Sequence, residues 1–265
     1  MHITFIGAGN LAWHLAPAFE NAGHQINEVY SRRTEQARRL ISILYDAGVR
    51  TDLNFADSSS QLFVLAVADD AMEEVCQQLV LPENAIVVHV SGAKPLAQLR
   101  RWMAIYSDVP VRTGVFYPLQ TFSRDQPPLS FEQIPLCLEA DDKETEDILV
   151  GLGQELSDIV YLITSDERRL LHMAAVFACN FTNHLLAIAK DLTETNEVPF
   201  KLLKPLIRET IRKGLSAGHP ADVQTGPARR GDQQTMQAHL TLLSDQPQLA
   251  EMYELMSDSI ARMYH

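Results

Sequence analysis

The chain has 265 residues, 46% of them hydrophobic, which is enough to bury a full core in one large domain or in two. Its formal net charge of −12 excludes a broad basic face for gripping a nucleic-acid backbone and leaves room only for a local basic pocket. No run approaches about 18 consecutive apolar residues and the apolar N-terminus lacks a basic lead, so the expectation is a soluble, cytoplasmic protein with neither nucleic-acid nor membrane partners.

The first predicted element, a strand at residues 2–6, runs directly into Gly7-Ala8-Gly9-Asn10-Leu11-Ala12 and then into a helix over residues 11–22. A glycine-rich turn between a strand and a helix is a dinucleotide-binding fingerprint. Gly7 permits the tight turn, Gly9 lets backbone approach a pyrophosphate, and small Ala12 lets the helix sit close to the sheet. The free N–H groups at the helix start, at Ala8, Asn10 and Leu11, then face the phosphates.

Further strands are predicted at residues 25–31, 62–67, 85–90, 111–115, 135–139 and 159–163, with a weaker one near 51–55, alternating with amphipathic stretches as in a mostly parallel α/β sheet. The tip of the second strand reads Tyr30-Ser31-Arg32-Arg33, a hydroxyl and two guanidiniums that suit the 2′-phosphate of NADP. Glu28 is the competing residue, because a carboxylate at this place holds the ribose of NAD, but it falls inside the strand rather than at its tip. A methyltransferase with a glycine-rich first loop is disfavoured by the same basic tip and by the helical half that follows. Ala66, Val67 and Ala68 close the next strand and Ser91 and Gly92 the one after it, which places them along the cofactor, the last two near the nicotinamide.

After Thr164 the pattern changes to helix throughout, so domains are expected at residues 1–164 and 165–265. Thr164-Ser165-Asp166-Glu167 is a capping-box signature for a long helix running to about Thr195, and further helices are expected at 199–217, 233–243 and 248–264. The long helix carries His172, Asn180, Asn183 and His184 amid apolar residues, within an arc of about 120° at regular helical steps. Polar groups interrupting an apolar stripe need partners, which either a ligand pocket or a helix-packed core supplies; the four together favour the pocket. Cys76, Cys137 and Cys179 are odd in number and lack metal-ligand spacing, which fits a reducing compartment, and Cys179 beside Phe177, Ala178 and Phe181 reads as a buried small hydrophobe. Arg229 and Arg230, in a glycine- and proline-rich loop, are suited to a substrate carboxylate or phosphate; a solvated loop capping helix ends is the alternative.

The N-terminal half resembles the Rossmann domain of the β-hydroxyacid dehydrogenase, pyrroline-carboxylate reductase, ketopantoate reductase and prephenate dehydrogenase group. The whole chain resembles a family of bacterial NADP oxidoreductases with a Rossmann-like domain and a C-terminal helical domain of unknown function. The resemblance rests on residues 7–12, His89-Val90-Ser91-Gly92-Ala93, residues 114–122, Asn180-Phe181-Thr182-Asn183-His184 and residues 225–232. It implies a doubly wound sheet followed by a helical domain like the C-terminal domain of 6-phosphogluconate dehydrogenase. It also implies a homodimer through those helices, with Met252, Tyr253, Leu255, Met256, Ile260 and Met263 as the interface expected here. In the hydroxyacid dehydrogenases a lysine one turn before an asparagine donates the proton, whereas the residue four before Asn180 is Val176. His172 is the candidate replacement, Tyr117 a second, and Asn180 and Asn183 would orient the substrate carbonyl. The function expected is hydride transfer between NADPH and a small carbonyl, imine or hydroxyacid, anionic if Arg229 and Arg230 bind it, in a cleft between the domains. A cofactor-binding sensor without turnover is the alternative.

Overall fold

The computed structural model describes residues 1–124 and 126–264. Eight strands form one sheet: β1 (His2–Ile6), β2 (Gln25–Tyr30), β3 (Gly48–Arg50), β4 (Leu62–Leu65), β5 (Ile86–His89), β6 (Arg112–Pro118), β7 (Leu136–Ala140) and β8 (Val160–Leu162). Their order is β3-β2-β1-β4-β5-β6-β7-β8, parallel at every pairing except β6 with β7. The strand order reverses between β1 and β4, the place where a doubly wound Rossmann sheet opens a crevice at its carboxyl edge.

Alternate residues of each strand face opposite layers, and both layers are apolar. Ile3, Phe5, Val64 and Val88 pack on one face against α1 (Asn10–Asn21), α2 (Thr34–Ile41) and α5 (Lys143–Leu156). Ile6, Phe63, Leu65 and Val87 pack on the other against α3 (Met72–Gln78) and α4 (Leu96–Tyr106). The weak strand expected near residues 51–55 is instead β3 at Gly48–Arg50. Leu53 and Phe55 are buried anchors of the second layer, and Asn54 makes only a single bridge to Val80.

Between β6 and β7 the chain crosses α1. Asn10 Nδ2 donates to Phe122 O (3.2 Å), Trp13 Nε1 to Gln126 O (3.1 Å), and His14 is held between Ser123 O (2.8 Å) and the Leu129 N–H (3.1 Å). The Leu129 N–H donates to Nδ1, which leaves Nε2 to donate to Ser123 O.

The helices begin at Ser165, behind a Thr164 capping box that matches the expected one, and α6 (Ser165–Ala175) leads through one π-helical segment (Val176–Phe181) into α7 (Thr182–Thr195). Compactness divides the chain later, into Met1–His184 and Leu185–His265, with His265 itself outside the described residues. The start of α6 packs on the sheet: the fully buried Arg168 reaches Glu139 of β7, Lys94 O (2.6 Å) and Ser165 Oγ (3.3 Å). Cys179, expected to be buried, is exposed on the π segment, because apolar neighbours in sequence mark a face without saying what covers it.

The second unit contains the end of α7 with α8 (Lys204–Ser216), α9 (Pro227–Arg230), α10 (Gln233–Leu242) and α11 (Pro247–Tyr264). Its α9 packs on α11 through Ala228, with the Arg229 guanidinium 3.9 Å from the centre of the Tyr264 ring.

Candidate functional site

Two adjoining places on the carboxyl edge of the sheet gather the predicted residues of the glycine turn, the strand ends and His172, but not Asn180 or Asn183. The first is a cleft of about 460 Å³ lined by residues 7–9, by Ser31, Arg32 and Arg33, by Gln36 of α2, and by Ala66, Val67 and Ala68 after β4. Gly7 has φ +110°, and a Cβ there would stand 2.2 Å from the Ala66 carbonyl oxygen, so both its conformation and the approach of β4 demand glycine. Gly9 precedes α1 as its N-cap and supplies no side-chain oxygen, and the first turn carries no acid. The backbone N–H groups there are therefore left for an anion. Ala12 is fully buried under the helix, as its role in close packing requires, and Asn10 differs from expectation in committing its amide to Phe122 O. Asn10, Leu11 and Ala12 do not line the cleft with their side chains.

Glu28 is withdrawn from this cleft. Its carboxylate accepts hydrogen bonds from Thr4 Oγ1 (2.9 Å) and Ser58 Oγ (2.6 Å) and pairs with Arg50 Nε (3.0 Å). A carboxylate already satisfied three times over has little left for a ribose, whereas Arg32 and Arg33 are exposed at the cleft.

The second place follows β5 and β6. Ser91 Oγ donates to Asp69 Oδ2 (2.9 Å), joining the loop after β4 to the loop after β5, and accepts from the N–H groups of Ala93 (3.1 Å) and Lys94 (3.0 Å). Ser91 therefore organises the loop with a buried hydroxyl rather than offering it to a ligand. Gly92 lies against Tyr117 and His172: a Cβ there would be 2.6 Å from the His172 ring and 2.9 Å from Tyr117 Cζ. Tyr117 Oη and His172 Nδ1 are hydrogen-bonded at 3.0 Å, with the rings edge to face. Burial pushes the Tyr117 phenol up to about 12, so it stays protonated. Beneath them His89 takes the Ser91 N–H on Nδ1 (3.2 Å), and burial, with the charge of Arg168, pushes its imidazole down to about 3.

Asn180, Asn183 and His184 are exposed on the helix, and among the described residues no hydrogen bond links Asn180 or Asn183 to His172. The π segment shifts the register that regular helical steps assume: the residue one turn before Asn180 is five positions back, Ala175, rather than Val176. Neither is a lysine. Arg229 stacks on Tyr264 and the exposed Arg230 lies 3.9 Å from Asp232, a local use of both cations within the second unit.

Comparison with known proteins accords with this geometry. A family model described as NADP oxidoreductase, coenzyme F420-dependent, matches residues 2–92, and one described as a domain of unknown function, DUF2520, matches residues 134–260. A crystal structure from Bacteroides fragilis, of a protein provisionally named as an NADP oxidoreductase, is 40% identical over 98% of both chains, with a TM-score of 0.88. The chain belongs to this NADP oxidoreductase family. The reductive aminase of Aspergillus terreus, solved with NADPH and ethyl levulinate, shares the family's fold at 14% identity, with 98% of this chain and 92% of that one covered and a TM-score of 0.69. A curated glycerol-3-phosphate dehydrogenase [NAD(P)+] from a Thermoanaerobacter species is 27% identical over 120 residues, 41% of this chain, and the match spans 36% of its length. In this NAD(P)-binding family the cleft fits a dinucleotide on its own terms: a glycine-only turn, a helix start without a side-chain cap, and two guanidiniums with no hydrogen bond among the described residues.

Proposed function

We propose that this protein is an NADP-dependent oxidoreductase that reduces a small carbonyl or imine, or oxidises the corresponding hydroxyacid, beside His172. The observation that carries the reading is the His172–Tyr117 pair packed on Gly92, one loop away from the glycine-turn cleft through the Ser91–Asp69 hydrogen bond. When bound, the cofactor supplies hydride. Residues 7–12 hold the pyrophosphate, Ser31, Arg32 and Arg33 the 2′-phosphate, and Ala66 and Ala68 leave room for the nucleotide.

His172 serves the proton. Its Nδ1 is held by Tyr117, which leaves Nε2 for the substrate. The phenol oxygen accepts from Nδ1–H of the charged ring, and its O–H donates to Nδ1 of the neutral ring, so the contact survives either state. The buried Tyr117 keeps its own proton and positions the imidazole rather than acting as the acid. Asn180 and Asn183, on the same continuous helix, are the groups proposed to orient the acceptor.

The test is consumption of NADPH with a panel of small ketones and imines. His172→Ala is expected to lower kcat by roughly 10²- to 10⁴-fold with NADPH binding unchanged, and Tyr117→Phe by less. Wild-type turnover in His172→Ala would sink the site. A cofactor-binding sensor, favoured by the absence of lysine at both Ala175 and Val176, predicts no transfer of labelled hydride to any acceptor. The cofactor choice is checked separately: Arg32→Ala with Arg33→Ala should weaken NADPH binding by roughly 2–5 kcal/mol and spare NADH. Equal losses for both would remove the assignment.

The partner proposed for the helical half is a second copy of the chain. Among the described residues of the second unit only Ala228 and Leu243 are buried hydrophobics, while Leu206, Leu215, Leu242, Leu255 and Met263 are each more than half exposed. Helices of this length need a shared core. The helix Ser165–Thr195 is long and apolar enough to cross a membrane by composition. Its His172, Asn180, Asn183 and His184 favour a covered face in a cytoplasmic dimer instead.

A further inference from the structure

We propose that Arg124, from the segment between β6 and β7, is a third cation of the cofactor cleft and recognises the 2′-phosphate together with Arg32 and Arg33. The inference rests on the NADP reading above and adds to it a residue that no fingerprint of the first two strands contains.

Three observations carry it. Arg124 Nη2 donates to Gln36 Oε1 at 3.3 Å, and Gln36 lines the same cleft as Ser31, Arg32 and Arg33. Among the described residues the buried Arg124 Nε atom has no hydrogen-bond partner. A guanidinium short of acceptors is costly, and an anion beside Gln36 would take the Nη donors that reach towards the cleft. The segment is also fixed in place: Asn10, Trp13 and His14 of α1 hold its backbone at Phe122, Gln126, Ser123 and Leu129. Arg124 thus reaches α2 across the helix that opens the glycine turn, and does so from a secured backbone.

The chemistry favours a dianion over a neutral hydroxyl. Arg32 and Arg33 line the cleft with Glu74 as its one carboxylate, and Arg124 adjoins it through Gln36, so guanidiniums outnumber carboxylates there and favour an anion among them. Gln36 accepts from Arg124 through its oxygen and keeps its amide N–H groups for a phosphate oxygen. A 2′-phosphate meets these demands; the 2′-hydroxyl of NADH does not.

The experiment measures the affinities of wild type, Arg124→Ala, Arg124→Lys and the Arg32→Ala/Arg33→Ala double variant for NADPH, NADH and 2′,5′-ADP, with melting temperatures as the check on folding. Arg124→Ala is expected to weaken NADPH and 2′,5′-ADP roughly tenfold or more while NADH is unchanged, and Arg124→Lys to recover part of the loss. If Arg124→Ala binds NADPH as wild type does while the double variant loses its preference, this inference fails and the NADP reading stands. Equal weakening of NADPH and NADH also overturns it, since Arg124 would then serve the shared part of the cofactor. A wild-type protein that binds NADPH and NADH alike removes both.

Discussion

Gly7→Ala is expected to destabilise the first unit by about 4 kcal/mol, combining a disfavoured backbone conformation with overpacking, and to lower the melting temperature by roughly 10 °C. The added Cβ would lie 2.2 Å from the carbonyl oxygen and 2.5 Å from the carbonyl carbon of Ala66, both backbone atoms of the strand's exit, at φ +110°. Backbone cannot rotate aside as a side chain does, so the turn or β4 must move. Gly9→Ala is the matched control. Its Cβ would meet only Ala66 O at 3.7 Å, an ordinary contact, so that variant should keep the wild-type melting temperature and lose dinucleotide affinity alone. Thermal unfolding of both variants, each with and without NADPH, separates the two roles; equal stability of Gly7→Ala and wild type would show that β4 yields more easily than its buried pairing suggests.

The second large effect is expected at Arg168. Arg168→Met leaves the Glu139 carboxylate without its guanidinium and Lys94 O without a donor, at a site where the arginine is fully buried. Removing one partner of a buried pair costs about 3–5 kcal/mol, most of it from the charge left behind. The double variant Glu139→Leu/Arg168→Met should recover much of that loss, although Ser165 Oγ also loses its acceptor. A double-mutant cycle in urea measures the coupling, and an additive result would show that the pair does not act as a unit. Activity should fall along with stability, because Arg168 precedes His172 by one helical turn and ties α6 to the loop that carries Gly92.

What could be read in the sequence was local. Gly7, Gly9 and Ala12 declare themselves by spacing, Ser31-Arg32-Arg33 by position after a strand, and the Thr164–Glu167 box by a three-residue interval, and each of these depends on neighbours in the chain. Glu28 was legible as a rival only in part, because Ser58 and Arg50, which occupy its carboxylate, come from separate segments. Nothing beside Trp13 and His14 in the sequence points to their partners, and Asn10, read for its place in the glycine turn, likewise bonds a residue more than 100 positions away. Arg168 carries no local signal, since only the return of β7 antiparallel to β6 brings Glu139 to it. The burial expected of Cys179 failed for a related reason: apolar neighbours in sequence show that a face wants cover, not that the same chain supplies it.

The π segment at Val176–Phe181 has a consequence for descent as well as for register. A helix that accommodates one surplus residue in a single wide turn can acquire or shed that residue without disturbing its ends, so Thr164 keeps its cap and Thr195 its exit. Side chains beyond the turn pivot around the axis as a block. One residue gained or lost between His172 and Asn180 would re-aim both asparagines around the axis while His172 stayed on Tyr117.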